Sequence, residues 1–380
     1  MRVLVLGAGF GGLELSARVS EELGDDADVV LIDRADGFVL GFSKLDVMFG
    51  RTSEAAVRHS YADIARPGVR FVRAEVRAID PVHRAVDTGA GRFEGDVVVV
   101  ALGADLDPAA TPGLVEAGVD YYTPAGAFAA RAVLESFGGG RVVVGVTSTP
   151  FKCPPAPSET ALMMHDFLTA RGLREASEIS LVMPLPSPIP PSPGASESLL
   201  AAFAERGIRW YPNRLVRSLD PDRRLAVCAD GEELPFDLFL GVPAHRVPRV
   251  VADSGLCVDG WVPVDPLTLE TGFPNVYAVG DVTSVGTPKA GVFSERQARV
   301  VADRLIARHR GTEAVSTYDG TGVCYVEYGN ETVGRVEVTF RSGERPFGTF
   351  EAPSGSLSRD KAEFGRSRAR RWFGTDWVTY

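Results

Sequence analysis

The first 23 residues constrain the fold most, because a glycine motif there separates an apolar strand pattern from a helix pattern. In RVLVLGAGFGGLELSARVSEEL, Gly7, Gly9 and Gly12 fit G-x-G-x-x-G. These glycines allow a tight turn, a close approach of the backbone to a pyrophosphate, and close packing of helix on strand. The next apolar run, DVVLID, ends in Asp33, placed to accept hydrogen bonds from a ribose. The segment therefore predicts a dinucleotide-binding βαβ unit, with phosphate at the helix N-terminus.

A second motif lies far downstream. NVYAVGD reads as a strand ending in Gly280 and Asp281, and FSERQARVVADRL reads as a helix. Asp281 then sits where strands of a doubly wound sheet open toward a ligand crevice, although a helix cap or turn would also use an aspartate. Together with DVVVVALGA (96–104), this arrangement resembles FAD-containing reductases with two dinucleotide-binding domains, over most of the chain.

That resemblance implies FAD as cofactor, held at its pyrophosphate by the first motif and at its ribityl chain and phosphate region by the late Gly-Asp. Lys289 is expected to place positive charge near the flavin N1–C2=O edge, the alternative being a solvated lysine. The implied cofactor-binding residues are Gly7, Gly9, Phe10, Gly11, Gly12, Asp33, Arg34, Val76, Ala101, Gly103, Gly280, Asp281, Lys289 and Ala290.

Residues 140–182 repeat the strand, loop and helix pattern, but the turn differs. It reads GVTSTPFKCPPAP, without G-x-G-x-x-G, and the next strand ends in Met183 and Pro184 instead of an acid for a ribose. A loop of prolines and β-branched residues cannot bring its backbone against a pyrophosphate as glycines do. We therefore expect no stable NAD(P)H site here. The following PLPSPIPPSPG (184–194) holds six prolines and reads as a polyproline-like surface loop or as a lid over that crevice.

Cys153 is unusual because a proline-stiffened loop seldom holds a structural cysteine. If Ser158 caps the following helix, Cys153 lies just before a helix N-terminus, and that dipole end together with Lys152 favours the thiolate. The alternative is a packed loop cysteine. Cys228 and Cys257 match no motif and are interpreted as structural.

The segment FKCPPAPSE (151–159) resembles the flavoprotein subunit of flavocytochrome c sulfide dehydrogenases, and the related sulfide:quinone oxidoreductases have a similar Lys-Cys loop. The resemblance implies a second redox cysteine in the C-terminal domain, and TGVCYVEYGNETVGRVEVTF supplies Cys324 at the head of a strand. It also gives Glu159 an acid/base role near the flavin. Cys324 as an ordinary strand residue and Glu159 as a first-turn carboxylate are the alternatives. Quinone-reducing members often use a third cysteine, which we cannot identify here.

Charge and hydropathy indicate which partners and which cellular location to expect. A net charge of −10 argues against a nucleic-acid surface, and no apolar run approaches the length needed to cross a bilayer. The sequence enters a strand pattern at once, so we expect a cytoplasmic protein whose four cysteines form no structural disulfide framework. Residues 359–377 combine basic residues with Trp372, Phe373 and Trp377. This stretch predicts either peripheral contact with an anionic membrane or a terminal helix packed on the FAD domain.

The predicted fold is therefore α/β, with two Rossmann-like domains and a small C-terminal α+β domain. We assign 1–114 and 252–312 to a discontinuous FAD-binding domain, 115–251 to the second Rossmann-like domain and 313–380 to a C-terminal interface domain. At 380 residues, two or three domains are expected. We expect no metal centre, and a homodimer is left open.

The predicted function is FAD-dependent oxidation of sulfide, or of a small thiol or persulfide, through a Cys153–Cys324 redox disulfide. Electrons would pass through FAD to a quinone or another acceptor. Two alternatives stay open at this point: an NAD(P)H:quinone reductase like type II NADH dehydrogenases, and a non-catalytic flavin-bound redox sensor or partner protein.

Overall fold

A computed structural model describes residues 1–375. The helices in this range are α1 (Phe10–Leu23), α2 (Ser43–Met48), α3 (Glu54–Val57), α4 (Leu114–Ala117), α5 (Pro124–Ser136), α6 (Ala156–Ala170), α7 (Pro193–Glu205), α8 (Arg249–Ala252), α9 (Gly291–Arg310) and α10 (Gly355–Phe373). None of them is both long and apolar enough to pass through a lipid bilayer.

The strands up to the middle of the chain are β1 (Arg2–Leu6), β2 (Asp28–Asp33), β3 (Gly37–Val39), β4 (Arg58–Ser60), β5 (Val69–Arg73), β6 (Val76–Asp80), β7 (Ala85–Thr88), β8 (Gly91–Glu94), β9 (Val97–Val100), β10 (Asp105–Asp107), β11 (Gly118–Asp120), β12 (Gly140–Val146) and β13 (Ser177–Val182). Those that follow are β14 (Ile208–Tyr211), β15 (Val216–Asp220), β16 (Leu225–Cys228), β17 (Glu233–Pro235), β18 (Leu238–Val242), β19 (Ala244–Arg246), β20 (Val276–Ala278), β21 (Thr321–Gly329), β22 (Thr332–Thr339) and β23 (Phe347–Ser354).

The first motif lies in a parallel sheet of order β20-β9-β1-β2-β5. Strands β1 and β9 are apolar along nearly their whole length and are buried on both faces, as a parallel sheet covered by helices requires. Helices α1 and α9 cover one face of this sheet. Strand β20 and helix α9, both from late in the chain, therefore belong to the same unit as β1. The carboxyl ends of β1, β9 and β20 thereby come together at one edge.

A second parallel sheet has the order β11-β18-β12-β13-β14, and α5, α6 and α7 contribute to its core. Antiparallel strands β10 and β19 connect the two units. The predicted α/β class with two Rossmann-like units is confirmed.

The C-terminal region forms an antiparallel sheet β21-β22-β23 followed by α10. Side chains alternate along β21, so Cys324 shares a face with Gly322 and Val326, while Tyr325 and Glu327 lie on the other face. Phe293 of α9 closely approaches Gly322, whereas Phe364 of α10 lies against Tyr325 with 5.8 Å between ring centroids. The two faces of β21 therefore look toward different parts of the molecule.

Helix α10 packs back on the first domain. Trp372 is 2% exposed, its Nε1 donates to the buried Glu14 carboxylate over 2.9 Å, and Arg371 binds the same carboxylate. Arg368 pairs with Glu295 and Lys361 with Glu327. Three basic residues of the predicted membrane-contacting stretch therefore pair with buried carboxylates of the protein itself. Trp377, also part of that prediction, lies outside the described residues.

Candidate functional site

The turn after β1 is built by glycines, two of which have no room for a side chain. Gly7 has φ +101°, and a Cβ there would lie 2.4 Å from the Ala101 carbonyl oxygen. A Cβ at Gly12 would lie 1.9 Å from the Gly7 carbonyl oxygen, so strand and helix touch through these two residues. At Gly9, by contrast, no atom lies within 4 Å of the Cβ position. The turn thus leaves open space beside Gly9, at a helix N-terminus that no side chain caps.

Phe10 and Gly11 contact the protein itself. The Phe10 ring meets Phe38 and Trp372 edge-on, with centroids 5.3 and 5.6 Å apart. A Cβ at Gly11 would lie 2.9 Å from Val279 Cγ2. The Phe10 side chain and the Cα of Gly11 therefore face the packed interior. Only the backbone N–H groups of these two residues are left to contact a cofactor.

Asp33 at the end of β2 is tied to the glycine turn. Its Oδ2 accepts the Ala8 N–H over 2.7 Å and its Oδ1 accepts the Ala35 N–H over 2.8 Å. A carboxylate has about four acceptor sites, so Asp33 retains capacity for ribose hydroxyls. Arg34 is 72% exposed and lies 3.7 Å from Asp105.

Three other predicted cofactor residues differ in setting. Val76 is buried in β6, within a small β6-β7-β8 sheet beside the main one. Ala101 and Gly103 follow β9 at the edge that carries the glycine turn, and Gly103 has φ +68° with open space around it. The backbone of this segment therefore borders the same opening as Gly9.

The late Gly-Asp motif contains a buried carboxylate oxygen without a partner. Gly280 has φ +81°, and its N–H donates to Gln297 Oε1 over 2.6 Å. Asp281 Oδ1 has no hydrogen-bond partner within the described chain. Burial raises the pKa of Asp281, while Lys152 and Lys289 oppose that rise. An unpartnered oxygen at the edge of the nucleotide sheet fits a hydroxyl of the FAD ribityl chain.

Lys289 is engaged by the motif that it follows. Its Nζ donates to the carbonyl oxygens of Asp281 and Thr283 over 2.6 and 3.2 Å and lies 3.3 Å above the Trp261 ring centroid. Burial lowers its pKa to about 8. Lys289 therefore holds the Gly-Asp loop, and its charge toward the flavin stays a prediction. Ala290 next to it is the N-cap residue of α9. Taken together, the open glycine turn, Asp33 and the unpartnered Asp281 oxygen fit FAD.

The loop with Cys153 is hydrogen-bonded to the Gly-Asp region. The Cys153 N–H donates to the Lys289 carbonyl over 2.7 Å, and Cys153 has φ +49°. Tyr122 donates its hydroxyl to the Lys152 carbonyl over 2.9 Å, and the Lys152 N–H donates to His245 Nε2 over 3.2 Å. Burial lowers the pKa of His245 to about 3, so the ring is neutral and can accept this bond. Sequence reasoning missed Tyr122 and His245, and no motif marks either one.

Helix α6 begins earlier than predicted. Ser158 does not cap it, because the helix starts at Ala156 and the Ser158 hydroxyl is buried without a partner in the described chain. The Cys153 carbonyl accepts the Ala156 N–H over 2.8 Å, so Cys153 immediately precedes the first turn. Pro155 at the N-cap and Pro157 in the first turn, which need no N–H partner, account for the earlier start.

Cys153 and Cys324 line one cavity of about 400 Å³. Cys324 is the fourth residue of the nine in β21, so it lies within the strand instead of heading it. Both cysteines are free thiols in this structure, as are Cys228 and Cys257. The structure thus brings together two thiols 171 residues apart in the chain, in the dithiol form.

The preference of Cys153 for the thiolate, expected from Lys152 and the helix dipole, is not found. Cys153 opens to the cavity, but the surrounding protein desolvates it, and burial followed by the charge of Glu159 raises its pKa strongly. Burial and Glu159 likewise raise the pKa of Cys324 to about 12. Lys152 instead donates from Nζ to the Ala104 carbonyl over 3.2 Å. Both thiols are therefore protonated at rest.

The cation that opposes this rise at Cys153 is Lys44, which sequence reasoning missed. Lys44 belongs to α2 of the first domain, donates from Nζ to the Tyr122 carbonyl and lies 4.9 Å from the Tyr122 ring centroid. Burial, followed by repulsion from Lys152, lowers its pKa to about 8. No sequence pattern marks Lys44, because only the contact of α2 with the second domain brings it here.

Glu159 is 4% exposed and begins a chain of charged residues that leads outward. Its Oε1 accepts the Glu327 N–H over 2.9 Å, and burial raises its pKa in spite of that bond. Glu327 binds Lys361 over 2.8 Å and Arg51 over 3.3 Å, and Arg51 lies 3.7 Å from the partly exposed Asp46. A carboxyl group whose pKa is raised by burial thus lies beside the two thiols and next to a row of charged residues that reaches the surface.

The proline loop is part of the site. Leu185, Pro188, Ile189, Pro190 and Pro191 line the cavity that holds both cysteines. Ser196 fixes the loop by bonding to the N–H and carbonyl of Ile189 over 3.0 and 2.8 Å. The loop therefore forms a wall over the cysteines.

Known proteins match this chain over most of its length. The profile of the pyridine nucleotide-disulphide oxidoreductase family matches residues 1–302. The mitochondrial sulfide:quinone oxidoreductase of Mus musculus is 24% identical over 368 residues, covering 92% of this chain and 80% of the relative.

Two solved structures share the fold. One is the sulfide:quinone oxidoreductase of Aquifex aeolicus, with a TM-score of 0.84, 21% identity and coverage of 98% of this chain and 92% of the other. NDH2 of Plasmodium falciparum in complex with NADH has a TM-score of 0.73 at 12% identity, covering 100% and 99%. With its family profile matched over more than three quarters of its length, this chain belongs to the pyridine nucleotide-disulphide oxidoreductase family.

Proposed function

We propose that the protein oxidises hydrosulfide through Cys153 and Cys324 and passes the electrons by way of FAD to a quinone. The observation that carries this proposal is that Cys153 and Cys324, from different domains, line the same cavity. The relatives named sulfide:quinone oxidoreductase, which match over most of the chain, give independent support. FAD, when bound, accepts two electrons from a dithiol and returns them to a quinone.

The sulfur chemistry needs the two cysteines as a disulfide. Hydrosulfide attacks one of its sulfurs, so that a bond to the substrate sulfur forms, the Cys153–Cys324 bond breaks, and the other cysteine leaves as thiolate. A second hydrosulfide then attacks the outer sulfur of the resulting persulfide, which releases a hydrogen disulfide and the second cysteine thiolate. Two sulfide sulfurs have together lost two electrons, and the cysteines have gained them.

The protons of this cycle fall to Glu159 and Lys44. Thiolates released in a desolvated cavity have raised pKa values and take up protons. Glu159, whose pKa burial raises, and Lys44, whose pKa burial lowers to about 8, are the ionisable groups placed to exchange these protons. Reoxidation of the dithiol must release the same protons, and Glu159 and Lys44 are the groups that can take them up.

The opposite face of β21 is the face that we assign to the quinone. There Tyr325, Phe364 and Phe42 form an aromatic group, with centroid separations of 5.8 and 6.3 Å, and Lys361 Nζ lies 5.0 Å above the Phe42 ring. Aromatic rings beside a cation suit a planar acceptor that becomes negatively charged on reduction. Donor and acceptor would then use different faces of the same strand.

The test is anaerobic mixing of the FAD-loaded protein with sulfide, followed by flavin absorbance. Sulfide should bleach the wild-type flavin rapidly, whereas Cys153→Ser and Cys324→Ser should bind FAD but respond to sulfide no faster than free flavin does. Cys257→Ser, outside the cavity, should behave as wild type. Wild-type rates in both cavity variants would contradict the proposal.

Two further arms of that experiment test Glu159 as the general acid and NADH as an alternative electron donor. Glu159→Gln should slow the sulfide reaction by about a hundredfold, the typical loss when a general acid is removed. NADH should leave the flavin oxidised, because the second turn offers no glycine grip for its pyrophosphate. Bleaching by NADH as fast as by sulfide would instead favour an NADH:quinone reductase.

A further inference from the structure

The last turn of α10 packs against the glycine turn that follows β1. Phe10 directly follows the open position Gly9, and its ring lies edge-on to Trp372, with 5.6 Å between the ring centroids. The other neighbours of the Phe10 ring are Phe38, at 5.3 Å, and Gly291 at the start of α9, where a Cβ would lie 2.6 Å from the ring. Trp372 of α10 therefore completes the packing that holds Phe10 in place.

The residue on the other side of Gly9 is also linked to α10. The Tyr61 hydroxyl donates to the Ala8 carbonyl over 2.7 Å, and the Tyr61 ring is stacked on that of Phe373, with 6.3 Å between the centroids. Phe373 is 5% exposed and also stacks on Phe38 at 6.2 Å. Both residues that flank Gly9 are thus held by aromatic side chains that belong to the last turn of α10 or contact it.

A buried carboxylate fixes this end of α10 on α1. Glu14 lies one turn beyond Phe10 in α1 and is fully buried. It accepts hydrogen bonds from Arg371 Nε and Nη2 over 2.9 and 3.0 Å and from Trp372 Nε1 over 2.9 Å, and Arg299 of α9 donates one more over 2.8 Å. Burial raises the pKa of Glu14, but these bonds and the charge of Arg299 outweigh it and keep the pKa below its ordinary value. Because an anion buried without its partners is costly, we expect α10 to leave this position only if α1 rearranges with it.

We propose that Trp372 and Phe373 are positioning residues for FAD, which hold the glycine turn in the shape that the pyrophosphate requires. Within the described chain no atom lies within 4 Å of the Cβ position of Gly9, so the order of the turn must come from its neighbours Ala8 and Phe10. Because coupling between two events is reciprocal, a turn that holds FAD should keep α10 docked by the same factor by which α10 strengthens FAD binding. Only cofactor loading is involved, so failure of the proposed sulfur chemistry would leave this coupling unaffected.

The first test follows α10 in the wild-type protein. The helix has several arginine and lysine residues, so limited digestion with trypsin, followed by peptide mass spectrometry, measures its release. Removal of FAD should speed cleavage within α10 about tenfold. Cleavage after Arg223, an exposed residue between β15 and β16 in the second Rossmann-like unit, is the internal reference and should not change.

Two fragments of the cofactor show which part of FAD is responsible. ADP has the pyrophosphate without the flavin, and at concentrations that compete with FAD it should restore the protection of α10 in the apoprotein. Riboflavin has the flavin without the pyrophosphate and should not protect. Equal cleavage of α10 with and without FAD would overturn the proposal, and so would protection by riboflavin but not by ADP.

Variants of α10 test the coupling from the other side, by fluorescence titration of each apoprotein with FAD. Trp372→Leu removes the edge-to-face contacts with Phe10 and Phe38 and should raise the Kd for FAD about tenfold, the size expected for two such contacts. Trp372→Phe keeps a ring against Phe10 and should bring the Kd back to within about threefold of wild type. Arg368→Gln is the matched control, because Arg368 lies one turn earlier in α10 and pairs with Glu295 of α9 instead of with α1. Its Kd should stay within about twofold of wild type.

Thermal unfolding of each apoprotein shows whether it is folded, and the wild-type digestion decides the question if Trp372→Leu does not fold. A folded Trp372→Leu variant that binds FAD as tightly as wild type would overturn the positioning role. An equal loss of affinity in Arg368→Gln would also overturn it, since general loosening of α10 would then suffice and contact with the glycine turn would not be needed.

Discussion

The two Rossmann-like units share their framework but differ at one turn. Strands β1 and β12, which precede the two turns, each have Arg-Val near their start, at Arg2 and Arg141. In each unit an aspartate, Asp96 or Asp237, comes directly before the strand that pairs with that one. In each unit the aspartate accepts the arginine backbone N–H, over 2.7 and 2.8 Å. Both units therefore share apolar central strands, this anchor and a parallel five-stranded sheet.

The turns after β1 and β12 have opposite chemistry. The first is made of glycines whose absent side chains create both close packing and open space. The second is made of prolines around Cys153, and its N–H groups bond within the protein, as that of Cys153 does to Lys289. A Rossmann-like topology therefore does not by itself make a nucleotide site, because the turn decides whether the backbone or a side chain faces the ligand.

The largest effect on stability is expected when a glycine of the first turn is replaced by a residue with a side chain. Gly12→Ala puts a Cβ 1.9 Å from the Gly7 carbonyl oxygen, so strand and helix must separate, at a cost of about 3 kcal/mol or more in the free energy of unfolding. Gly9→Ala meets no atom and should cost less than about 1 kcal/mol while weakening FAD binding. Thermal unfolding of the apoprotein and FAD titration measure the two effects separately. A Gly9→Ala variant that retains full FAD affinity would remove the open turn from the cofactor site.

The positive charge that lowers the pKa of Cys153 in the second turn comes from Lys44 in α2, and this gives a second prediction. Lys44→Met should raise the pKa of Cys153 and slow its alkylation about tenfold at pH 7, one pKa unit being a factor of ten in thiolate. Because the pKa of Lys44 is about 8, the ammonium is lost as the pH rises through 8, and the difference from wild type should shrink there. The measurement is the iodoacetamide rate at Cys153 from pH 7 to 9.

The matched control is Lys152→Met, which removes the lysine next to Cys153 in the sequence. Its Nζ bonds to the Ala104 carbonyl, so the alkylation rate should stay within about twofold of wild type. A larger drop in Lys152→Met than in Lys44→Met would mean that the neighbour in sequence, and not the neighbour in space, activates the thiol.

Local patterns foretold the parts of this molecule that depend on local physics. The glycine turn, the apolar strands, the Gly-Asp motif and the absence of a second glycine motif are all visible in consecutive residues. The start of α6 was missed, since a serine that could cap a helix is indistinguishable in sequence from one buried in its first turn. The ionisation of Cys153 was misjudged for a related reason: a thiol's pKa follows its desolvation, which the cavity walls set.

Residues that meet only through tertiary packing carried no local signal. Lys44, Tyr122 and His245 come from three segments, and each contacts the Cys153 loop or its neighbours through side chains that no motif marks. The prediction that Cys324 lies near Cys153 was based on a family resemblance, because the separation of two residues in the sequence does not indicate their distance in space. A pattern of consecutive residues can thus indicate a turn, but not the charges that several elements place around it.

The smallest effect is expected at the anchor that the two units share. Asp237 receives the Arg141 N–H, Nε and Nη2 over 2.8, 2.9 and 3.0 Å, and these bonds, led by the Arg141 side chain, lower its pKa to about 2. Asp96 receives the Arg2 N–H, while the Arg2 side chain pairs with Asp28. Since the Asp237 pair is one-third exposed and screened by water, Asp237→Asn should cost about 1 kcal/mol, and Asp96→Asn about half of that.

The contributions of the two aspartates to stability should also differ in their dependence on pH. An aspartate whose pKa is depressed on folding stabilises the protein above its unfolded pKa of about 3.8, and this contribution is lost as the pH falls toward 2. The difference in unfolding free energy between wild type and Asp237→Asn should therefore be constant near neutral pH and shrink below about pH 4. Urea unfolding of the apoprotein, with hydrogen exchange at the Arg2 and Arg141 amides, resolves the two sites. If Asp96→Asn proved the more costly, the side-chain pair of Arg141 would add nothing to the backbone bond that both units share, and the duplicated anchor would hold both sheets through its backbone bond alone.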